Sequence, residues 1–472
     1  MKKKSIIPSS WRSRRAVCPL GAVASVLLIA ALAFTSCDNF LDITPTGKVI
    51  AKTGAEYRSL LTYEYKYFPK ERYMTTLRTD EIVMSTRTSA DDREDYLDLW
   101  RWKDDDPSPT TAYFNDWRNY YHAIYIANYV IEHQHSITDA TPAEISQLMG
   151  EAFMMRAYAH FLLVNLFAEP YTHCDPATTR GVPLMTVADV NVTPGCSSVE
   201  KVFQQVLSDL DQAELYLNVD EWEAGLNYRF STLCVPALRA RTYLYMGRYE
   251  EALEAAQAVI EQKPDLADLT ASGTTVLPNS YKSVESICAL ERFSSNLWTV
   301  INAPDAQFLN LYRTGDQRRT KFYQRVTMST TNLLKGANDD FTCSFRTSEA
   351  YLTAAECAVR LATSDDERNA AIETYLMPLL RKRLNASALT TTSNLMAEMS
   401  ADELLAEVLD ERARELAFEG HRWYDLRRTT MPQLTRLYDG ETYTLTPEKY
   451  TMRFPSEAVE ANPEIERWVP AE

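Results

Sequence analysis

The stretch ERARELAFEGHRWYDLRR, Glu411 to Arg428, sets Glu411, Glu415 and Glu419 four residues apart, with His421 just beyond. On a helix, carboxylates at i and i+4 share a face, near enough to act as general acid and base on a glycosidic bond. The same stretch interleaves Arg412, Arg414, Arg422, Arg427 and Arg428, and Leu416, Phe418 and Trp423 give it an apolar face. Charge-laced helices usually pair their own charges, and a single histidine adds little. Structural ion pairing is the expectation, and no catalytic residue is assigned.

Binding chemistry has a second candidate. YLDLWRWKDDD, Tyr96 to Asp106, places Trp100 and Trp102 two residues apart, which on a strand points both rings to one face. Bordered by Asp104, Asp105 and Asp106, such rings suit a sugar, whose C–H faces stack on indole while its hydroxyls bond carboxylates. Trp298, in SSNLWTVINAPD, could add a third ring from another segment. The candidate ligand-binding set is therefore Trp100, Trp102, Trp298 and Asp104, with half-buried packing the competing reading for each ring. DQRR, Asp316 to Arg319, reads as a loop anchored by arginine hydrogen bonds, with ligand contact the alternative.

Helices must position these groups. Thr141-Pro142-Ala143-Glu144 offers a capping threonine, a proline at the first helical position and a glutamate that reaches back, and the helix should run to about Phe167. Ser197 with Glu200, and Ser400 with Glu403, repeat the capping box ahead of apolar residues at three-and-four spacing. In ARTYLYMGRYEEALEAAQAVIEQKP, Ala240, Tyr243, Gly247, Tyr249, Ala252, Ala256, Val259 and Pro264 hold the spacing of a tetratricopeptide repeat. Gly247 would make the turn, and the small Ala252 and Ala256 would let two helices approach closely. The expected fold class is mostly α: a tetratricopeptide-like helical-pair scaffold, with helical repeats over about 111–167, 197–263 and 347–428, packed against an irregular loop-rich ligand-binding half. That half is assigned to the insertions of about 68–110 and 265–345, rich in Thr, Ser, Asp, Pro and aromatics.

The compartment follows from the start of the chain. Six basic residues, from Lys2 to Arg15, precede a mostly apolar run from Ala16 to Phe34, and Thr35-Ser36-Cys37 closes it. This is a signal peptide's charged head and apolar body, with an uncleaved anchor helix as the alternative. The small residues before Cys37 resemble a bacterial lipobox, which implies cleavage after residue 36 and acyl chains on Cys37. Removing residues 1–36 takes six of the 49 basic residues and none of the 65 acidic ones, leaving 43 against 65, a net charge of −22. Such a surface repels phosphate backbones, so no nucleic-acid partner is expected.

Cys174, Cys196, Cys234, Cys288, Cys343 and Cys357 form no C-x-x-C pair and there are only six histidines, so neither a zinc site nor a cofactor is expected. If any pair bridges, Cys174 with Cys196 is the expected one, flanking a Pro/Thr/Gly-rich loop, while Cys234 and Cys357 read as buried thiols.

Four stretches, in order, resemble the SusD/RagB family of outer-membrane nutrient-binding lipoproteins: CDNFLDITPTG from Cys37, RAYAHFLLVNLFAEPY from Arg156, ERARELAFEGHRWYDLRR from Glu411 and FPSEAVEANPEI from Phe454. Ala458 stands where the family usually has glutamate, and the chain diverges after Ile465. The resemblance implies a single domain over 37–472, lipid-anchored at the outer membrane and facing the cell exterior. It implies partnership with a TonB-dependent, SusC-like transporter, a glycan or in some members a peptide as ligand, and no catalysis. A lipid-anchored helical glycoside hydrolase and a pure peptide-binding scaffold are the readings it competes with.

Overall fold

Short-range chemistry sets where the helices begin. The computed structural model describes residues 51–68, 71–84, 90–103, 111–292, 303–328, 330–336 and 341–468. Everything below belongs to the unit Lys52–Glu472. The main helices are α1 (Gly54–Tyr67), α2 (Glu71–Leu77), α3 (Ala90–Arg101), α4 (Thr111–Glu132), α5 (Pro142–Phe167), α6 (Val199–Tyr216), α7 (Cys234–Tyr245), α8 (Tyr249–Gln262), α9 (Thr347–Leu361), α10 (Ala401–Glu415) and α11 (His421–Arg428). Capping boxes open α1 at Thr53, α5 at Thr141 and α10 at Ser400, each side chain holding the amide three residues on while that residue's glutamate returns to the cap. The expected box at Ser197 and Glu200 does not form. Ser198 caps α6 through the Lys201 amide, and Glu200 accepts instead from the Tyr171 hydroxyl.

Helix α5 is the axis of the molecule, buried without interruption from Gln147 to Phe167. A helix apolar on every face must be surrounded, and α4, α6 and α1 pack around it. Gly150 permits the closest approach: a Cβ there would stand 2.6 Å from Leu217, at the end of α6. Helices α7 and α8 form the antiparallel pair that the tetratricopeptide spacing predicts. Gly247 turns between them at φ +72°, and Ala252 and Ala256 are wholly buried. Helix α9 packs on α8, and its Leu352, Ala355 and Val359 join Leu376, Leu379, Leu380 and Val408 in one apolar cluster.

Among the described residues the strands are short and pair only two by two, all antiparallel. The longest pair, Leu434–Tyr438 with Glu441–Leu445, turns at Asp439-Gly440, both at positive φ, as a tight hairpin requires. No helix among the described residues is long and apolar enough to cross a membrane. Cys37 and the preceding signal lie outside the described residues.

Arginines close the fold across large sequence distances. Arg427 on α11 donates to the carbonyls of Asn165 and Ala168 at the end of α5 and to that of Tyr450. Arg78 donates to the Lys449 carbonyl at 2.6 Å, and the Phe418 amide donates to Glu81 at 2.7 Å.

Candidate functional site

The carboxylate array sits on the inner side of α10 and the turn leading to α11. Glu411, Glu415 and Glu419 are all buried. Glu415 accepts from Arg318 at 3.0 Å, from Arg346 at 2.8 Å and twice from Arg383 at 2.8 Å. Glu411 is held by Arg318 at 2.5 Å and Arg414 at 2.7 Å, and Glu419 by Arg346 and by Lys335 at 2.5 Å. Buried Glu285 bridges Arg346 and Arg383 at 2.9 and 2.7 Å.

Burial alone would push the Glu415 carboxyl up, but the Arg383 and Arg346 charges outweigh it and hold the group well below the usual carboxylate range. The same balance lowers Glu411 and Glu419. Burial and the charges of Arg241 and Arg72 keep His421 neutral, its pKa well below the ordinary value. Ion pairing is what the array does, but mostly not with the interleaved arginines. Only Arg414 serves it directly. Arg412 and Arg428 bond Asp425, Arg428 also bonds Glu356, Arg422 pairs with Asp80, and Arg427 goes to backbone carbonyls. DQRR is the loop anchor expected: Arg318 is fully buried between Asp316 and the two glutamates.

Other buried carboxyls differ: burial outweighs Arg156 at Asp209 and Arg72 at Glu291 and raises both. Burial pushes Glu81 up to about 7, despite the Phe418 amide and the Thr79 hydroxyl that donate to it. It is wholly buried, and the neighbouring Asp80 is taken by Arg422 at 2.7 Å, so no acid and base pair faces a cleft there.

The tryptophan platform needs correction. The chain from Ala90 to Arg101 is a helix, not a strand, and Trp102 follows it at φ +56°. The two-residue spacing therefore does not put both rings on an open face. Trp100 is 4% exposed and Trp102 0%. Trp102 Nε1 donates to the Arg78 carbonyl at 2.9 Å and Trp100 Nε1 to the Ile82 carbonyl at 3.4 Å. The Arg436 guanidinium lies 4.6 and 4.2 Å from the two ring centres and donates to the carbonyls of Leu77, Thr79 and Trp100. The rings are packing, as the competing reading had it. Asp104 and Trp298 lie outside the described residues.

The two long insertions nonetheless meet. Ile82 bridges Pro304, and the Val83 amide donates to the Ala303 carbonyl at 3.0 Å. Trp100 reaches Ile82, and the 434–445 hairpin covers Trp100 through Tyr438, the rings 5.8 Å apart. Half-exposed Arg101 and Tyr443 and exposed Val83 line the outside of this patch.

The sequence reading passed over a cleft of about 470 Å³ between the starts of α1 and α5 and the loop after α6, walled by Trp222, Arg58 and Arg229. Arg229 covers the Trp222 ring at 3.6 Å, and both arginines bond buried Glu151, at 3.1 Å from Arg229 and 3.0 Å from Arg58. Its two arginines are thus already committed to Glu151. Nor is the expected Cys174–Cys196 bridge present: both thiols are free, Cys174 set 4.0 Å from the Tyr171 carbonyl and Cys196 donating to the Ile465 carbonyl at 3.2 Å.

Comparison with known proteins bears on this geometry. A family model described as starch-binding associating with outer membrane matches residues 39–244, and a SusD family model matches residues 291–470. A SusD-like protein of Formosa agariphila is 27% identical over 252 residues, 51% of this chain and 45% of the relative, so the match spans about half of that protein's length. A SusD superfamily protein from Bacteroides fragilis superposes with a TM-score of 0.73 at 18% identity, over 88% of this chain and all of the other. One from Bacteroides thetaiotaomicron gives 0.71 at 21%, over 88% and 99%. Surface glycan-binding protein A from Bacteroides uniformis gives 0.67 at 15%, also over 88% and 99%.

Proposed function

The chain belongs to the SusD family, and from that premise we propose that it is a lipid-anchored protein of the outer-membrane surface. In this reading it binds nutrient oligomers, glycans before peptides, and delivers them to a TonB-dependent transporter. The observation that carries binding over catalysis is the locking of Glu411, Glu415 and Glu419 into arginine pairs. Hydrolysis of a glycosidic bond needs one carboxyl that is neutral and facing substrate, and these are ionised and buried. Acyl chains on Cys37 would hold the protein beside its transporter at high effective concentration.

The protein extracted from membranes in mild detergent should bring down a large outer-membrane barrel and return oligosaccharides uncut after long incubation. A Cys37→Ala chain should leave the membrane fraction. Repeated purification without a barrel would defeat the partnership, and shortened glycans would defeat the binding-only reading.

The ligand face we propose is the patch where the two insertions meet, with Trp298 and Asp104 as its contacts and Trp100 and Trp102 as the packing beneath. Trp298→Ala is expected to weaken glycan binding about tenfold, roughly 1.4 kcal/mol, and Asp104→Asn to act in the same direction, neither moving the melting temperature appreciably. Unchanged affinity in both variants would place the ligand elsewhere. Wild-type binding of peptides but of no glycan would select the peptide alternative.

A further inference from the structure

We propose that the cleft between α1, α5 and the loop after α6 is a second ligand site, which takes one neutral sugar unit of a glycan on a wall formed by Trp222 and Arg229. Its place and its preference for an uncharged ligand come from its own residues. The choice of a sugar over a peptide rests on the function proposed above. At about 470 Å³ the cleft falls within the roughly 300–1,000 Å³ of small-ligand pockets.

Local contacts fix the walls. Thr53 bridges Thr138 and sets the starts of α1 and α5 side by side, with the Gly54 amide donating to the Thr138 carbonyl at 2.8 Å. A Cβ on Gly54 would stand 2.6 Å from the Cβ of Ala140, so glycine is what lets the two starts approach. Buried Gln147 on α5 holds the opposite wall: its Oε1 accepts the Asn218 and Val219 amides at 3.0 and 3.2 Å, and Asn218 Nδ2 donates to the Ala143 carbonyl at 2.9 Å. Half-buried Trp222 is fixed by its Nε1, which donates to the Phe230 carbonyl at 3.1 Å, and by Arg229 across one ring face. A ring held this way meets a ligand without first having to be ordered.

Arg229 supplies the polar half of the site. A guanidinium carries several N–H donors, yet among the described residues this one makes a single hydrogen bond, from Nη2 to Glu151, and its buried Nε meets no acceptor there. The side chain is 14% exposed and lines the cleft, so a ligand oxygen is the acceptor it can still take. Charge then decides the class. A cation would lie against Arg58 and Arg229, and an anion would meet the exposed carboxylates of Asp139 and Glu144 at the rim. An uncharged ligand meets neither objection. Leu148, Val219 and Trp222 offer apolar wall to C–H groups, while exposed Asn218 and Asp139 offer acceptors to hydroxyls, a division that matches the face and the edge of a sugar ring.

Calorimetric titration of the full chain with neutral hexasaccharides of glucose, mannose, galactose or xylose should find two sites for the sugar that binds. Trp222→Ala should weaken one site about tenfold and leave the other. Ala143→Phe, which fills the cleft from an exposed position on α5 and keeps Trp222 and Arg229, should remove the same site. Trp298→Ala should weaken the other site alone. Both sites surviving in either cleft variant overturns the cleft and spares the function proposed above. Loss of a site in both cleft variants, with none lost in Trp298→Ala, upholds the cleft and moves the other site instead. A hexagalacturonate or an uncharged peptide that occupies the cleft in preference to every neutral sugar overturns the ligand class, and a wild type that binds none of the sugars overturns both readings.

Discussion

Glu415→Ala is expected to cost about 3–5 kcal/mol of stability, a large share of the roughly 5–15 kcal/mol that holds a folded protein together. The carboxylate is the common acceptor of Arg318, Arg346 and Arg383, all fully or almost fully buried. Without it Arg383 keeps Glu285 as its one ionic partner among the described residues, while Arg318 still has Asp316 and Glu411. Glu415→Gln keeps the shape but removes the charge, and should fall between alanine and wild type. Denaturant titration reads both. Two unchanged midpoints would mean that the lattice does not support the fold. Loss of a cleavage activity in Glu415→Gln at an unchanged midpoint would revive the hydrolase.

Trp102→Ala is the second large effect, with an expected loss of about 3–5 kcal/mol, because a wholly buried indole leaves a cavity that its neighbours fill only in part. Arg436 would lose a stacking surface, and the Arg78 carbonyl a donor. Arg436→Ala strips donors from three carbonyls, so the two substitutions share partners and their double mutant should be milder than the sum. A Trp102→Ala protein that melts like wild type but binds glycan weakly would restore the exposed platform.

Local signals were legible and distant ones were not. Thr141 with Glu144 and Ser400 with Glu403 declare their helices because a cap and its partner lie within one turn, and Gly247 declares its turn through a backbone angle that few other residues accept. Trp100 and Trp102 misled because spacing by two implies one face only on a strand. Here ADDREDYLDLWR takes a helix, and Trp102 leaves it in the left-handed region. The glutamates were read as ion-paired, yet Arg318, Arg346, Arg383 and Lys335 lie 32 or more residues along the chain from the glutamates they hold, where no periodicity could link them.

The clasps between Arg78 and Lys449, Glu81 and Phe418, and Arg427 and the end of α5 also dictate an order of events. A chain delivered from its N-terminus presents α5 early, but the groups that seal that helix's end arrive among the last. Loop closure over hundreds of residues must precede those contacts, which makes folding slow relative to a protein built from neighbours. Until the final segment emerges, the Asn165 and Ala168 carbonyls at the end of α5 lack their arginine donor, and a molecule cut short before α11 would keep that end of its central helix open.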